Sequence, residues 1–169
     1  MMYTISAIGQ DSHRFTNLSS EENHSDSLRP LLLGGVEFPK EPPLEGNSDA
    51  DVVLHALCRA ISGITNINIL GDYARRMRCN NNIMDSALYV KEAMKYLQNA
   101  KIVHASFSIE CSHPIIEPRI DKMRSNIAQI IGTKIEEVCI TATSGEDLTD
   151  FGRGYGIQVI CIITVLKIL

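Results

Sequence analysis

Two short stretches of the sequence hold side chains of the kinds that bind metal ions. In the first, Asp11 and His13 are two residues apart, so both point to the same side of a strand or strand end. In the second, residues 47–57, His55 follows Asp51 by one helical turn. One carboxylate and two imidazoles leave a fourth coordination position open, as in catalytic zinc sites. A plain turn and a satisfied core histidine explain the same residues without a metal.

The second stretch is also predicted to open a helix. Ser48 is the expected N-cap, with its hydroxyl accepting a hydrogen bond from the backbone N–H of Ala50 or Asp51. The acidic residues here suit the positive end of the helix dipole. We expect the Asp51 carboxylate to orient the imidazole of His55, and the helix to end near Gly63.

A third group of polar residues lies near the C-terminus, in residues 141–146 and 151–156. Its hydroxyls, flexible glycines and backbone N–H groups are suited to holding phosphate oxygens. Glu146 is suited to a hard divalent cation such as Mg²⁺. An ordinary polar loop followed by a Gly-rich turn is an equally good interpretation of these residues alone.

These groups must be positioned by a small set of strands and helices. Alternation and β-branched runs predict strands at 2–8, 31–38 (with a bend or bulge at Gly34–Gly35), 102–109, 138–143 and 156–166. Helical spacing predicts helices at 48–63, 85–98 and 118–131. The expected fold is α+β, a mixed β-sheet covered by helices on one face, in one domain over residues 1–169.

Two further segments are predicted to lie outside the core. Residues 17–30 read as an exposed loop in which His24 is solvated rather than a ligand. Residues 73–82 are polar and basic, and they form either a mobile lid or a solvated connection. In the helix at 85–98, the buried face is predicted to contain Ala87, Leu88, Val90, Ala93, Met94 and Leu97.

Composition excludes several classes of protein. The chain has 169 residues, 44% of them hydrophobic, and a net charge of -4, which argues against a broad nucleic-acid surface. No apolar run reaches the length of a membrane helix, and no signal peptide is recognisable. The five cysteines are odd in number and lack a C-x-x-C pair, so we expect reduced thiols and a cytoplasmic protein.

With these blocks in view, the chain resembles the 2-C-methyl-D-erythritol 2,4-cyclodiphosphate synthase family of the non-mevalonate isoprenoid (terpenoid) pathway. The matching blocks keep the family's order over nearly the whole chain: Gly9-Gln10-Asp11-Ser12-His13, Leu33-Gly34-Gly35-Val36, residues 48–57, Leu70-Gly71-Asp72, Asp85-Ser86, Met123-Arg124 and residues 141–156.

The resemblance implies a homotrimeric lyase with active sites at the subunit interfaces. It implies zinc held by Asp11, His13 and His55, and a second divalent cation, Mg²⁺ or Mn²⁺, held by the substrate diphosphate and Glu146. The implied reaction cyclises 4-diphosphocytidyl-2-C-methyl-D-erythritol 2-phosphate by attack of the 2-phosphate on the β-phosphorus, with release of CMP.

The resemblance also assigns residues to the substrate. Ser144 and Asn47 are the implied catalytic residues, Ser144 donating to developing phosphoryl charge. Arg153 is expected near the trimer axis, where the family can bind an isoprenoid diphosphate. The implied substrate-binding residues are Asp11, His13, Asn47, Ser48, Asp72, Tyr73, Ala74, Cys111, Ile115, Glu117, Thr143, Ser144, Gly145, Glu146, Asp150 and Arg153.

Some positions depart from the family pattern. Asn47 replaces a histidine of many members, and Ile115 replaces a usual lysine. The acidic lid sequence is replaced by Arg75, Arg76, Arg78 and an asparagine run, and Asp150 and Tyr155 replace an aromatic residue and an acid. An alternative is therefore a catalytically impaired trimeric zinc protein that binds isoprenoid diphosphate. An unrelated zinc hydrolase would explain only the Asp-His-His triad. Localisation is expected to be cytoplasmic, or a plastid-type stroma after removal of a transit peptide.

Overall fold

A computed structural model describes residues 1–16, 29–81 and 84–168, except for the side chains of residues 72, 80 and 81. Its strands are β1 (Met2–Arg14), β2 (Leu31–Leu33), β3 (Val36–Phe38), β4 (Ala100–Glu110), β5 (Val138–Thr143) and β6 (Gly156–Ile168). Its α-helices are α1 (Val52–Thr65), α2 (Ala74–Asn81), α3 (Ser86–Met94) and α4 (Ile120–Ile131). Among these described residues, no helix is long and apolar enough to cross a bilayer.

Among the described residues, four strands form one mixed sheet in the order β1-β6-β4-β5, and β2 and β3 form a separate two-stranded sheet. β6 runs antiparallel to both β1 and β4, while β4 and β5 are parallel. The parallel pair needs a crossover, which α4 supplies. The predicted α+β fold with a mixed sheet is confirmed.

The two faces of the sheet differ in burial. On β6, alternate residues from Ile157 to Val165 are buried beneath the helices. The opposite face exposes apolar side chains among polar ones, with Ile8, Ile162 and Ile168 at 63%, 46% and 59% exposure. Helices therefore cover one face, as the strand periodicity predicts.

Helix α1 lies unusually close to β1. A β-carbon added to Gly9 would overlap the carbonyl oxygen of Ala56 and the backbone nitrogen of Ala60. Glycine is therefore required for this approach, since any other residue would separate helix and strand. The approach sets His55 of α1 beside Asp11 and His13 of β1.

The predicted start of α1 is wrong. The N-cap is Asp51, whose carboxylate accepts hydrogen bonds from the backbone N–H groups of Val53 and Leu54, and the helix begins at Val52. Ser48 does accept from the Ala50 N–H at 3.3 Å. However, Ala50 has a φ of 55°, so the backbone cannot become helical before Asp51. The helix ends at Thr65, with Asn66 in the left-handed conformation as its C-cap.

The segment predicted as one bent strand at 31–38 is a β-hairpin. Gly34 and Gly35 have φ values of 60° and 71°, which form a reversing turn rather than a bulge. The N–H groups of both glycines donate to the Asp51 carboxylate, at 2.9 and 2.6 Å. One buried side chain therefore caps α1 and anchors the hairpin to it.

Other predicted elements are confirmed with shifted ends. β1 continues six residues beyond the predicted end, to Arg14, and α3 ends at Met94 rather than near residue 98. Leu88 of α3 is 36% exposed, so its predicted burial is wrong. Within the segment predicted as a lid or a solvated connection, residues 74–81 form α2. Residues 17–28, with His24, and Asn82 lie outside the described part of the chain.

Candidate active site

The three predicted metal ligands converge. Asp11 Oδ2 lies 2.9 Å from His55 Nδ1 and 3.2 Å from His13 Nε2, and the two imidazole nitrogens are 3.3 Å apart. The side chains of Asp11 and His55 are 12% and 10% exposed, and that of His13 is 22% exposed. Among the described residues, these three form the one cluster of metal-ligating side chains.

The spacing of these atoms fits a single bound ion. Zinc distances of about 2.0–2.2 Å to nitrogen and oxygen give a tetrahedron with edges of about 3.3–3.6 Å. The three observed edges of 2.9–3.3 Å are close to that size and need only a slight expansion. The donor set of two imidazoles and one carboxylate suits Zn²⁺ and leaves the fourth vertex of the tetrahedron open.

The electrostatics of the triad prepare it for a cation. Burial would raise the pKa of Asp11, but hydrogen bonds with His13 and His55 outweigh burial and hold this pKa well below its usual range. Burial would lower the pKa of His13, but the Asp11 carboxylate outweighs it and raises this pKa above 6.5. Asp11 is therefore an anionic ligand at neutral pH, and protons compete with a metal at His13.

A buried serine, not Asp51, orients the imidazole of His55. Ser86 Oγ lies 2.9 Å from His55 Nε2 and donates a hydrogen bond to the Asp49 carboxylate. Because an ionised carboxylate only accepts, the Ser86 hydroxyl proton points to Asp49, and its oxygen accepts from His55 Nε2–H. His55 Nδ1 is then the nitrogen that faces the triad: it donates to Asp11 Oδ2 here, and it is the nitrogen that would bind a metal ion. The predicted Asp51–His55 contact is wrong because the Asp51 carboxylate binds backbone N–H groups instead.

The imidazole of His13 also has a hydrogen-bond partner on the side away from the triad. The backbone of Glu45 hydrogen-bonds the ring of His13 and helps raise its pKa. Glu45 is itself fixed, because its N–H donates to the Arg14 carbonyl at 2.8 Å. Both histidines therefore have a partner opposite the triad, which is the usual support for metal-binding imidazoles.

The triad forms the floor of a cavity of about 170 Å³. Besides the two histidines, four residues of the predicted substrate-binding set line this metal cavity: Asp11, Asn47, Ser48 and Ala74. Tyr73 instead packs edge-on against Tyr96, with ring centroids 6.0 Å apart. The side chain of Asp72, also predicted to bind substrate, lies outside the described part of the structure.

A second cavity, the nucleotide cavity, has a volume of about 230 Å³ and is lined by residues that the resemblance assigns to the cytidine end of the substrate. Its lining includes Cys111, Ile115, Glu117, Thr143 and Ser144 from that set, together with Ser112, Pro114, Ile116 and Ala142. Burial raises the pKa of Cys111 to about 12, so its thiol stays protonated and forms part of the wall. Ile115 is 77% exposed and offers apolar surface where the resemblance expects a cation.

The loop after β5 is tightly folded but open to solvent. Ser144 caps a short 3₁₀ turn, accepting from the Glu146 N–H at 3.4 Å and donating to Glu146 Oε1 at 3.1 Å. Thr149 donates to the Glu110 carboxylate, which ties this loop to the end of β4. Gly145 lies within this turn, between Ser144 and Glu146.

Within one chain, the metal cavity and the nucleotide cavity are separate and have no lining residue in common among the described residues. The triad lies on β1 and α1, whereas the second cavity lies between β4 and β5, with β6 intervening. Strand spacing alone places β1 about 10 Å from β4 and about 14 Å from β5. The structure therefore does not bring Ser144 or Glu146 to the triad of the same copy.

Two more predicted residues lie on the Gly-rich loop before β6. Arg153 Nη1 donates to Asp150 Oδ1 at 3.3 Å, and both side chains are at least half exposed. Asp150 lines a cavity of about 470 Å³ at the end of β1, together with Ser12, His13, Arg14, Phe151 and Tyr155.

The sequence patterns did not predict that five further residues lie near the triad: Asp49, Arg59, Arg78, Ser86 and Tyr89. Arg59 follows His55 by four residues, and this spacing could have indicated that they share a helix face. Ser86 reaches His55 only through the packing of α3 on α1, which no local spacing reveals.

The chain is similar in sequence to known proteins over most of its length. A family model described as the YgbB family matches residues 5–166. The chain is 45% identical to a 2-C-methyl-D-erythritol 2,4-cyclodiphosphate synthase of Chlamydia muridarum over 161 residues, which cover 95% of this chain and 86% of the relative. It is 44% identical to the enzyme of the same name from Chlamydia felis, with 95% and 88% covered.

Solved structures show the same fold. The bifunctional IspDF of Campylobacter jejuni matches with a TM-score of 0.85 at 24% identity, covering 99% of this chain and 43% of that one. A CDP complex of IspF from Plasmodium falciparum matches with a TM-score of 0.79 at 19% identity, covering 97% and 96%.

Proposed function

The chain belongs to the YgbB family of 2-C-methyl-D-erythritol 2,4-cyclodiphosphate synthases, and from that membership we propose that it cyclises 4-diphosphocytidyl-2-C-methyl-D-erythritol 2-phosphate. An oxygen of the 2-phosphate attacks the β-phosphorus, the bond from that phosphorus to the oxygen bridging the α-phosphate breaks, and CMP leaves. The observation on which this proposal rests is the convergence of Asp11 Oδ2, His13 Nε2 and His55 Nδ1 within 3.3 Å of one another.

The reaction asks little covalent chemistry of the protein. Nucleophile and leaving group belong to one molecule, so binding both ends of a folded substrate supplies proximity. Asp11, His13 and His55 would hold Zn²⁺, and Glu146 with the substrate diphosphate would hold Mg²⁺ or Mn²⁺. When bound, these ions polarise phosphate oxygens and neutralise developing charge. Ser144 donates to the reacting phosphoryl group, and the Asn47 amide lies beside the metal cavity.

We further propose that the active site is completed in a homotrimer. The separation of the two cavities within one chain supports this arrangement, because one substrate must reach both. The uncovered apolar face of the sheet, with Ile8 and Ile162 exposed, supplies the contact surface. The nucleotide would then lie against Cys111 to Glu117 and Thr143 of one copy, facing the triad of the next. Arg153 would lie near the axis, beside the cavity that Asp150 lines.

The proposal is tested by following the phosphorus NMR spectrum of the substrate with zinc- and magnesium-loaded protein. We expect signals of CMP and a cyclic diphosphate, and we expect both to be absent with His55→Ala, because the triad loses a ligand. His24→Ala is the matched control and should retain turnover. No product from folded, zinc-loaded wild-type protein would reject the proposal and favour a binding protein for isoprenoid diphosphate.

A further inference from the structure

Arg59 lies beside the three predicted metal ligands and lines the same cavity. It lies one turn after His55 on α1, and its Nη2 donates to Asp11 Oδ1 at 3.3 Å. The other carboxylate oxygen, Oδ2, faces His13 and His55 at 3.2 and 2.9 Å. The two carboxylate oxygens of Asp11 therefore have different partners: one faces the two histidines, and the other accepts a hydrogen bond from the guanidinium group of Arg59.

Arg78 reaches the same cavity from another element. It lies on α2, is half-buried, and donates from Nη1 to the Asn47 carbonyl at 3.5 Å. That distance is at the outer limit of a hydrogen bond. Since a guanidinium group has five N–H donors, this single long contact leaves most of them available to a ligand in the cavity.

The charge of the cavity is unbalanced. Among the described residues that line it, Asp11 is the one carboxylate, whereas Arg59 and Arg78 are both cationic. A divalent ion on the triad would increase the positive excess. Pairing with Asp11 does not account for Arg59, because its side chain is 46% exposed and makes one contact, a geometry that contributes little stability. A multivalent anion would satisfy both guanidinium groups.

We propose that Arg59 and Arg78 together bind a phosphate group of the substrate at the open side of the triad. This inference rests on the proposed function for the identity of the substrate. Guanidinium groups suit the task because their planar forks match phosphate oxygens. Arg78 contacts the backbone of Asn47, so it brings positive charge to the place where the resemblance expects a histidine. Arg59 also acts as a positioning residue, because it holds Asp11 Oδ1 away from the ligand cluster.

The test titrates inorganic pyrophosphate into protein carrying one equivalent of zinc, with calorimetry as the readout. Arg59→Met and Arg78→Met should each weaken pyrophosphate binding about tenfold or more, since each removes charge-assisted hydrogen bonds. Arg59→Lys and Arg78→Lys should recover part of the loss. Lys95→Met removes an exposed charge that pairs with Glu92, and it should leave binding unchanged.

Steady-state kinetics and metal analysis separate the remaining outcomes. Both methionine variants should raise KM more than they lower kcat, while zinc content stays near one equivalent. Unchanged pyrophosphate affinity in both folded, zinc-loaded variants would overturn the inference. Loss of zinc from Arg59→Met without loss of affinity in Arg78→Met would also overturn it, by reducing Arg59 to a support for Asp11. Arginine-dependent pyrophosphate binding without cyclic product in the wild type would instead reject the proposed function.

Discussion

At the scale of single residues, the site depends on groups that set the state of the metal ligands. Asp49, Ser86 and His55 form a buried chain of hydrogen bonds that fixes which imidazole nitrogen faces Asp11. Removing a partner of this kind from a metal-binding histidine typically weakens metal affinity about 10–100-fold.

Ser86→Ala is therefore expected to weaken zinc binding by about one to two orders of magnitude, because His55 loses the acceptor that fixes its tautomer. Competition with a chromophoric chelator measures the affinity. Ser125→Ala, an exposed serine-to-alanine change on α4, should leave it unaltered. Equal zinc affinities for the two variants would show that Ser86 does not orient the ligand.

The raised pKa of His13 predicts how zinc binding depends on pH. Zinc requires the neutral imidazole, so its affinity should fall about tenfold for each pH unit below the pKa of His13, which lies above 6.5. Asp11 remains ionised over this range because its own pKa is well below the usual value. Zinc titrations between about pH 5.5 and 8.5 measure this dependence, and they should locate the apparent pKa to within about 0.5 unit.

In the metal-free protein, His13 and Asp11 affect the stability of the fold, and the contribution of His13 falls as the pH rises. Protonated His13 paired with Asp11 stabilises the fold below pH 6.5, and this contribution is lost as the pH rises through the raised pKa. The Asp11 contribution is present above its ordinary pKa of 3.8 and is lost only as the pH falls through its lowered value. A zinc affinity that is constant with pH would contradict this description of His13.

At the scale of elements, the approach of α1 to β1 sets the site. Gly9→Ala should destabilise the protein by about 2–4 kcal/mol, because the new methyl group overlaps backbone of α1 that cannot move alone. It should also weaken zinc binding by moving His55 away from β1. Chemical denaturation and a zinc titration measure the two effects.

Gly132→Ala is the matched control for this prediction. Gly132 also has a special role, with a φ of 68° after α4, but an added β-carbon would meet no described atom within 4 Å. It should cost only about 1 kcal/mol of backbone strain and leave zinc affinity intact. A smaller loss of stability for Gly9→Ala than for Gly132→Ala would count against the close approach of α1 and β1.

Elements were predictable where a local pattern decides them. The alternation in β6 and the helical spacing in α4 depend on one-sided burial, so their predicted positions are confirmed. The start of α1 was not predictable from local sequence. Asp51 is fixed as the N-cap partly because its carboxylate also accepts hydrogen bonds from the N–H groups of the distant hairpin. The triad was recognisable from Asp11, His13 and His55, whereas its support by Ser86 depends on tertiary packing.

At the scale of the whole molecule, we propose that one active site is built from two copies of the chain. The triad and the nucleotide cavity lie on different strands and remain apart within a copy. The exposed apolar residues of the uncovered sheet face provide a surface on which copies can associate. A cyclic assembly would repeat the same contact between each pair of neighbours.

Subunit complementation tests this claim most directly. His55→Ala and Ser144→Ala/Glu146→Ala chains, each inactive alone, would be co-expressed with different tags, and mixed oligomers would be purified through both tags. Cyclic diphosphate formation by phosphorus NMR should return to about one third of the wild-type rate, because each mixed cyclic trimer joins one intact half from each variant at one of its three interfaces. Mixed oligomers that form no product would contradict the account.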